Sequence, residues 1–196
     1  MAKYFNKSTL TTLAEASKKI VEIRNEVAKS ADIDILDTDA ISSLFIYEIV
    51  SLYDKDYNIN FSRNGEDAKS GSILIEQKTT RVLGPLTKKG KPRKGAGKDA
   101  AFQFHAMGDL DYPRYIFVAR NRADLSIMRI YDIHTESNRK IILDHLLVER
   151  VKWLERSQKD KKSMKRDIIT LPEKFILEKL DLPHRLTING CVILKD

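Results

Sequence analysis

The sequence predicts an α/β (α+β) fold, a central mixed sheet flanked by helices on both faces, and three observations predict it. Stretches with apolar residues three and four apart are interspersed with short, strongly apolar runs of strand length. Their order is two helices, two strands, a helix, two more strands and closing helices, which calls for a helical layer on each side of a sheet. The chain of 196 residues, 42% of them hydrophobic, suits one domain over 1–196. Such a core is large enough to need neither a disulfide nor a structural metal.

The first helix spans about 8–29, where Leu10, Leu13, Ala16, Ile20, Ile23 and Val27 keep helical spacing and Ser8 or Thr11 serves as N-cap. Aspartates punctuate a linker over 32–39, and Asp37 or Thr38 caps a second helix, Ala40 to Tyr53, apolar on most sides. Glu48 lies inside it among Leu44, Phe45, Ile49 and Leu52, an expensive place for a carboxylate without a partner. Segments 57–63 and 72–80 read as strands, with a turn signal at 69–72 between them. A Gly/Pro/Lys loop covers 82–97, and 98–107 reads as a helix with Asp99 near its start. Strands follow at 114–120 and 125–133. A helix over 137–156 would bury Ile141, Leu143, Leu146, Leu147, Val151 and Leu154. Leu171 to Leu180 reads as a helix with Pro172 in its first turn, and a hairpin through Asn189-Gly190 ends the chain.

The formal charge is +7 and the sequence pI about 9.3. The excess is clustered. Lys88, Lys89, Lys91, Arg93, Lys94 and Lys98 occur without an intervening acid, and Arg156 to Arg166 holds a second cluster opposed by Asp160. Two such clusters in one small domain favour a polyanionic partner, bound through its phosphates without sequence preference. Aromatics are sparse near them, which argues against a platform for stacking single-stranded bases. The single cysteine, Cys191, excludes an intramolecular disulfide and a cysteine zinc site. The start, MAKYFNKSTL, has no long apolar run, and no stretch reaches the roughly 20 apolar residues of a membrane helix. A cytoplasmic location, no membrane association and no organic cofactor are therefore expected. No G-x-S-x-G elbow or H-E-x-x-H pair occurs, and GAGKD at 95–99 departs from a P-loop at Pro92 and Asp99.

The stretch that holds chemistry is GEDAKSGSILIEQKTT, Gly65 to Thr80. On a strand, alternate side chains share a face, so Leu74, Glu76, Lys78 and Thr80 project together, with Glu76 and Lys78 roughly 6.6 Å apart at Cα. A loop of two or four residues centred between Ser70 and Gly71 sets Asp67 opposite Leu74 and on that face, about 7–8 Å from Glu76 diagonally across the pair; an odd loop brings Glu66 instead. Paired carboxylates hold a hard divalent ion with open positions, the requirement for hydrolysing a phosphodiester. A neighbouring lysine orients or deprotonates the attacking water and stabilises charge developing on phosphorus. Glu48 is the natural additional carboxylate. The plain alternative is a strand-end ion pair between Glu76 and Lys78.

Asp67, an eight-residue gap and Glu76-Gln77-Lys78 after Ile73-Leu74-Ile75 resemble the PD-(D/E)XK nuclease motif, here over about 39–133. The family's proline before the aspartate is replaced by Glu66. The resemblance implies a restriction-endonuclease-like core, with the helix at 8–29 and the segment 137–196 as additions. It implies magnesium, with manganese able to substitute, held by Asp67, Glu76 and the Gln77 backbone carbonyl. Lys78 would assist the attacking water and Glu48 would join the site. It further implies a type II restriction endonuclease acting on double-stranded DNA as a homodimer, whose twofold matches a palindrome. The lysine loop, Lys88 to Lys98, and Gln103 would contact DNA. A repair or junction-resolving nuclease of the same fold, and a non-catalytic nucleic-acid-binding protein, are the rival expectations.

Overall fold

The computed structural model describes residues 5–31, 39–60, 67–81, 101–121, 126–159 and 167–196. Over these residues the chain runs α1 (Lys7–Ala31), α2 (Asp39–Tyr53), β1 (Tyr57–Ile59), β2 (Ala68–Ser70), β3 (Ile73–Arg81) and β4 (Ala101–His105). It continues β5 (Arg114–Arg120), β6 (Ile127–Ile133), α3 (Glu136–Lys159), β7 (Ile168–Pro172), α4 (Glu173–Lys179), β8 (His184–Ile188) and β9 (Cys191–Lys195). Seven strands form one mixed sheet in the order β1-β2-β3-β5-β6-β9-β8, while β4 and β7 pair as a separate antiparallel ribbon. The fold is α+β. β1, β2 and β3 form an antiparallel meander, β3 lies parallel to β5, and β6 lies parallel to β9.

Alternation along the central strands explains the layering. Every residue of β5 is buried. Ile116 and Val118 join Leu10 of α1 and Leu44, Ile46 and Val50 of α2 in one core. Tyr115 and Phe117 face the other way, into a second core with Phe102 and Phe104 of β4, Ile142 and Leu146 of α3, and Ile169 and Leu171 of β7. The Tyr115 and Phe117 rings stack 5.7 Å apart, and Phe102 sits 4.8 Å from Phe117. Both turns predicted for hairpins are two residues long. Gly71 alone is left-handed in the β2–β3 turn (φ 58°), whereas Asn189 (φ 49°) and Gly190 (φ 78°) both are in the β8–β9 turn. These match the II′ and I′ arrangements that suit the twist of paired strands.

Several expectations are corrected. Segment 98–107 is not a helix: its described part from Ala101 is β4, because Phe102 and Phe104 alternate with exposed Gln103 and His105 and bury against β5. The helix expected at 171–180 starts at Glu173, since Leu171 and Pro172 end β7 opposite β4. Asn6 caps α1, its Oδ1 accepting from Thr9 N at 2.8 Å. That helix buries Leu10, Ala14, Ser17 and Val21 and exposes Ile23, and α3 buries Ile142 and Leu146 while Leu147, Val151 and Leu154 stay exposed. Both helices carry apolar residues on more than one side, so sequence spacing left the buried face undetermined.

One buried guanidinium ties the layers together. Arg114 opens β5 and donates to Asp132 of β6 through Nε and Nη2, both at 2.7 Å, and through Nη1 to Asp54 after α2 at 2.5 Å. Tyr53 donates to Asp132 at 3.1 Å and Ser70 of β2 to Asp54 at 2.9 Å. Burial works against the Arg114 charge, but the two carboxylates outweigh it and raise its pKa. Removing one partner of such a group strands the others without water. Arg114→Leu is therefore expected to lower unfolding stability by about 3–5 kcal/mol, read as a loss in urea midpoint at unchanged slope. A change within 1 kcal/mol would contradict the role given to this network.

Candidate functional site

β3 carries the site because its two faces differ. Ile75 and Gln77 lie on the side of α1 and α2, while Glu76 and Lys78 sit beside Tyr115 and Phe117 of β5, on the side of the β4–β7 ribbon. β2 pairs with β3 through Ala68↔Ile75, Lys69↔Leu74 and Ser70↔Ile73. Extended by one residue, this register sets Asp67 opposite Glu76, on the same face. Asp67 Oδ2 accepts from Gln77 N at 2.9 Å, at the edge of β3 facing away from β5. In an extended strand the N–H and C=O of one residue point to the same edge, so the Gln77 carbonyl faces the Asp67 side as well. Glu66 lies outside the described residues.

The charges converge tightly. The Lys78 ammonium pairs with Glu76 Oε1 and lies 3.6 Å from Asp67 Oδ2. It also stands 5.6 Å from the centre of the Phe104 ring, under the ribbon. Glu76 is buried, and the Tyr112 hydroxyl hydrogen-bonds its carboxylate. Burial and then the nearby Asp67 charge raise the Glu76 pKa, more than Lys78 and Tyr112 lower it. Lys78 shows the mirror image: burial disfavours its charge, but Asp67 and Glu76 overcome that and raise its pKa. The lysine is a firm cation, and Glu76 is held harder to ionise chiefly by its burial. On the opposite face the Gln77 amide is a clamp, accepting from the Tyr57 hydroxyl and donating to Ser43 Oγ of α2 at 3.2 Å.

A cleft of about 320 Å³ opens here along β3, lined among others by Ser43, Asp67, Lys78, Gln103 and His105. The structure thus brings together Asp67, Glu76, Lys78 and Gln103. It does not bring in Glu48, whose carboxylate pairs with Lys18 of α1 and lines clefts between α1 and α2. The α2 residue that reaches β3 is Ser43; five residues on is about 7.5 Å of rise and 140° of rotation, which turns Glu48 to α1. Lys88, Lys89, Lys91, Arg93, Lys94 and Lys98 lie outside the described residues. Arg129 of β6 is bonded to Glu173 at 2.7 Å. Tyr112 was missed because the Tyr-Pro turn holds no local pattern tying it to a carboxylate 36 positions earlier.

Among the described residues no group of three or more His, Cys, Asp or Glu side chains is placed to hold a metal, and no helix is long and apolar enough to cross a membrane. The chain matches no family model, no curated protein and no solved structure.

The ionic balance gives a pH signature. The raised Lys78 pKa contributes stability that is complete below 10.5 and is lost as pH rises through the folded value. The raised Glu76 pKa has the same sign: below the ordinary 4.5 its burial penalty is absent, and stability falls as pH rises through the folded value. Lys78→Met should cost about 3 kcal/mol at pH 7 by leaving two carboxylates face to face. That loss should shrink as the pH is lowered toward 4.5, where folded Glu76 takes its proton before the unfolded chain does. Glu76→Gln should be no less stable than the parent at pH 7. Urea titrations across this pH range check both.

Proposed function

We propose that this chain is a magnesium-dependent endonuclease that hydrolyses phosphodiester bonds of duplex DNA, on a restriction-endonuclease-like core of the PD-(D/E)XK type. The observation that supports it is the convergence of Asp67, Glu76 and Lys78 on one face of β3, beside a cleft, with the carboxylate pair incompletely neutralised. The β1-β2-β3 meander beside the parallel strand β5 supports this reading, although the helix expected between the two parallel strands is strand β4 in its described part.

The donors suit a hard cation. Two carboxylates that share one cation, one of them the buried Glu76 whose pKa is raised, gain from a second positive charge. Asp67, Glu76 and the Gln77 carbonyl would hold magnesium, with manganese able to replace it. Two carboxylates suffice for an ion that keeps several waters. The bound ion supplies Lewis-acid polarisation of a phosphate oxygen and lowers the pKa of a water. Lys78, firmly protonated, serves as the cation that attracts the scissile phosphate and stabilises charge growing on it, rather than as a base. Tyr112 and the backbone of Gln77 hold the two carboxylates in place.

With one centre per chain, cutting both strands calls for two copies, so a type II restriction enzyme acting as a homodimer is the role proposed. The direct Glu76–Lys78 pair equally favours a second reading, a nucleic-acid-binding protein in which that pair is structural. The two separate cleanly. Asp67→Ala, Glu76→Ala and Lys78→Ala are each expected to reduce magnesium-dependent cleavage of plasmid DNA about 100-fold or more while leaving duplex binding in EDTA intact. Cleavage at the parent rate by Glu76→Ala and Lys78→Ala would defeat the site assignment. Glu48→Gln is expected to cut at the parent rate, as its place against Lys18 requires.

A further inference from the structure

The β4–β7 ribbon stands apart from the seven-stranded sheet and has two unlike faces. Phe102, Phe104, Ile169 and Leu171 bury into the core beneath it. The alternate residues face outward, with Gln103 opposite Thr170 and His105 opposite Ile168. Gln103 and His105 are exposed. Both line the cleft that holds Asp67 and Lys78. Five residues per strand give a ribbon of about 17 Å.

Sequence charge points the same way at both ends of this element. The basic tract from Lys88 to Lys98 leads into β4, and the tract from Lys161 to Arg166 leads into β7. Because the strands are antiparallel, Ala101 meets Pro172 at one end and His105 meets Ile168 at the other, so one basic tract joins the ribbon at each end. The outward face carries Gln103, His105 and Thr170 and no acidic residue, and the sequence leading into each strand is basic, a combination that suits a phosphate-bounded groove. The major groove of B-form DNA, about 12 Å wide, admits a two-stranded ribbon, whereas the deep, narrow major groove of A-form RNA does not. Glutamine has the donor and acceptor that read an adenine edge there.

We infer that the β4–β7 ribbon is the element that reads duplex DNA, entering the major groove with Gln103 and His105 toward base edges and setting the adjacent backbone over the Asp67–Lys78 cleft. The inference takes its substrate class from the function proposed above, yet it stands or falls on binding rather than cleavage. The test selects bound sequences, in EDTA, from a pool of duplexes with a randomised centre, using the parent chain and the double variant Gln103→Ala/His105→Ala. The parent should enrich a defined sequence. The variant should bind that duplex about tenfold or more weakly and lose preference at one or two positions, with the slope of affinity against salt unchanged. An equal urea midpoint shows that the variant is folded. Parent-like affinity and preference in the variant would overturn the inference, as would a uniform loss with a shallower salt slope, or a parent with no preference at all. Cleavage is scored separately: a parent that reads sequence through the ribbon but cuts nothing would sink the nuclease reading alone.

Discussion

The site depends on one two-residue turn. Gly71 and Ser72 close the β2–β3 hairpin, and because strand side chains alternate with a period of two, that length decides which acid meets Glu76. One residue more would send Asp67 to the core side, opposite Ile75, and turn Ala68 out of it, burying a carboxylate with no cation near it. The turn is not left to hold register alone. Ser70, the last residue of β2, donates to Asp54, which Arg114 in turn holds against β5. A slip would break that bond and bury part of the network unpaired. Register at the hairpin and anchoring at Arg114 are thus one constraint seen at two ends of β3's neighbours.

Within that frame β3 has to carry charge in a layer that is otherwise apolar. Gln77 satisfies its amide on one face with Tyr57 and Ser43, a neutral arrangement in which donors and acceptors match. Glu76 and Lys78 on the other face are not matched: two acids share one lysine, and desolvation adds to the imbalance. Asp67 satisfies the Gln77 backbone N–H at the edge of β3 and also faces the ammonium that Glu76 holds. Under the proposed function, a cation or a phosphate group arriving at the cleft would use that imbalance. The cost is borne by the aromatic core beside it, where Tyr115, Phe117, Phe102 and Phe104 pack closely.

What sequence reveals follows the range of the interactions. Asp67, Glu76 and Lys78 were legible because a hairpin and a strand place them by local rules alone. Glu48 was legible as an acid in need of a partner, but the partner, Lys18, sits 30 positions away on α1, and nothing local fixes how α2 is rotated against the sheet. β4 was misread because KDAAFQFHAM, with its alanines and early aspartate, satisfies a helix start, while its partner β7 begins 67 positions on. The alternation of Phe102 and Phe104 with Gln103 and His105 was present all along. It becomes decisive only once Ile169 and Leu171 supply the other half of the buried face.

The position of β4 also follows from β3 and β5 being parallel. A parallel pair cannot be closed by a tight turn and needs a long crossover. Here the described part of that crossover is a strand, and Phe102 and Phe104 seat it on the face of β5 that adjoins Glu76 and Lys78. Phe104 is the hinge of the arrangement, touching Phe117 below at 6.1 Å and standing 5.6 Å from the Lys78 ammonium beside it. The same packing that pays for the crossover therefore fixes the distance between the charged cleft and the outward face of the ribbon. Shifting the ribbon would require repacking the core under Lys78, so the two surfaces behave as one rigid unit. A long polymer lying on both would meet them in a fixed spacing, which is the geometric condition for placing one particular bond at the cleft.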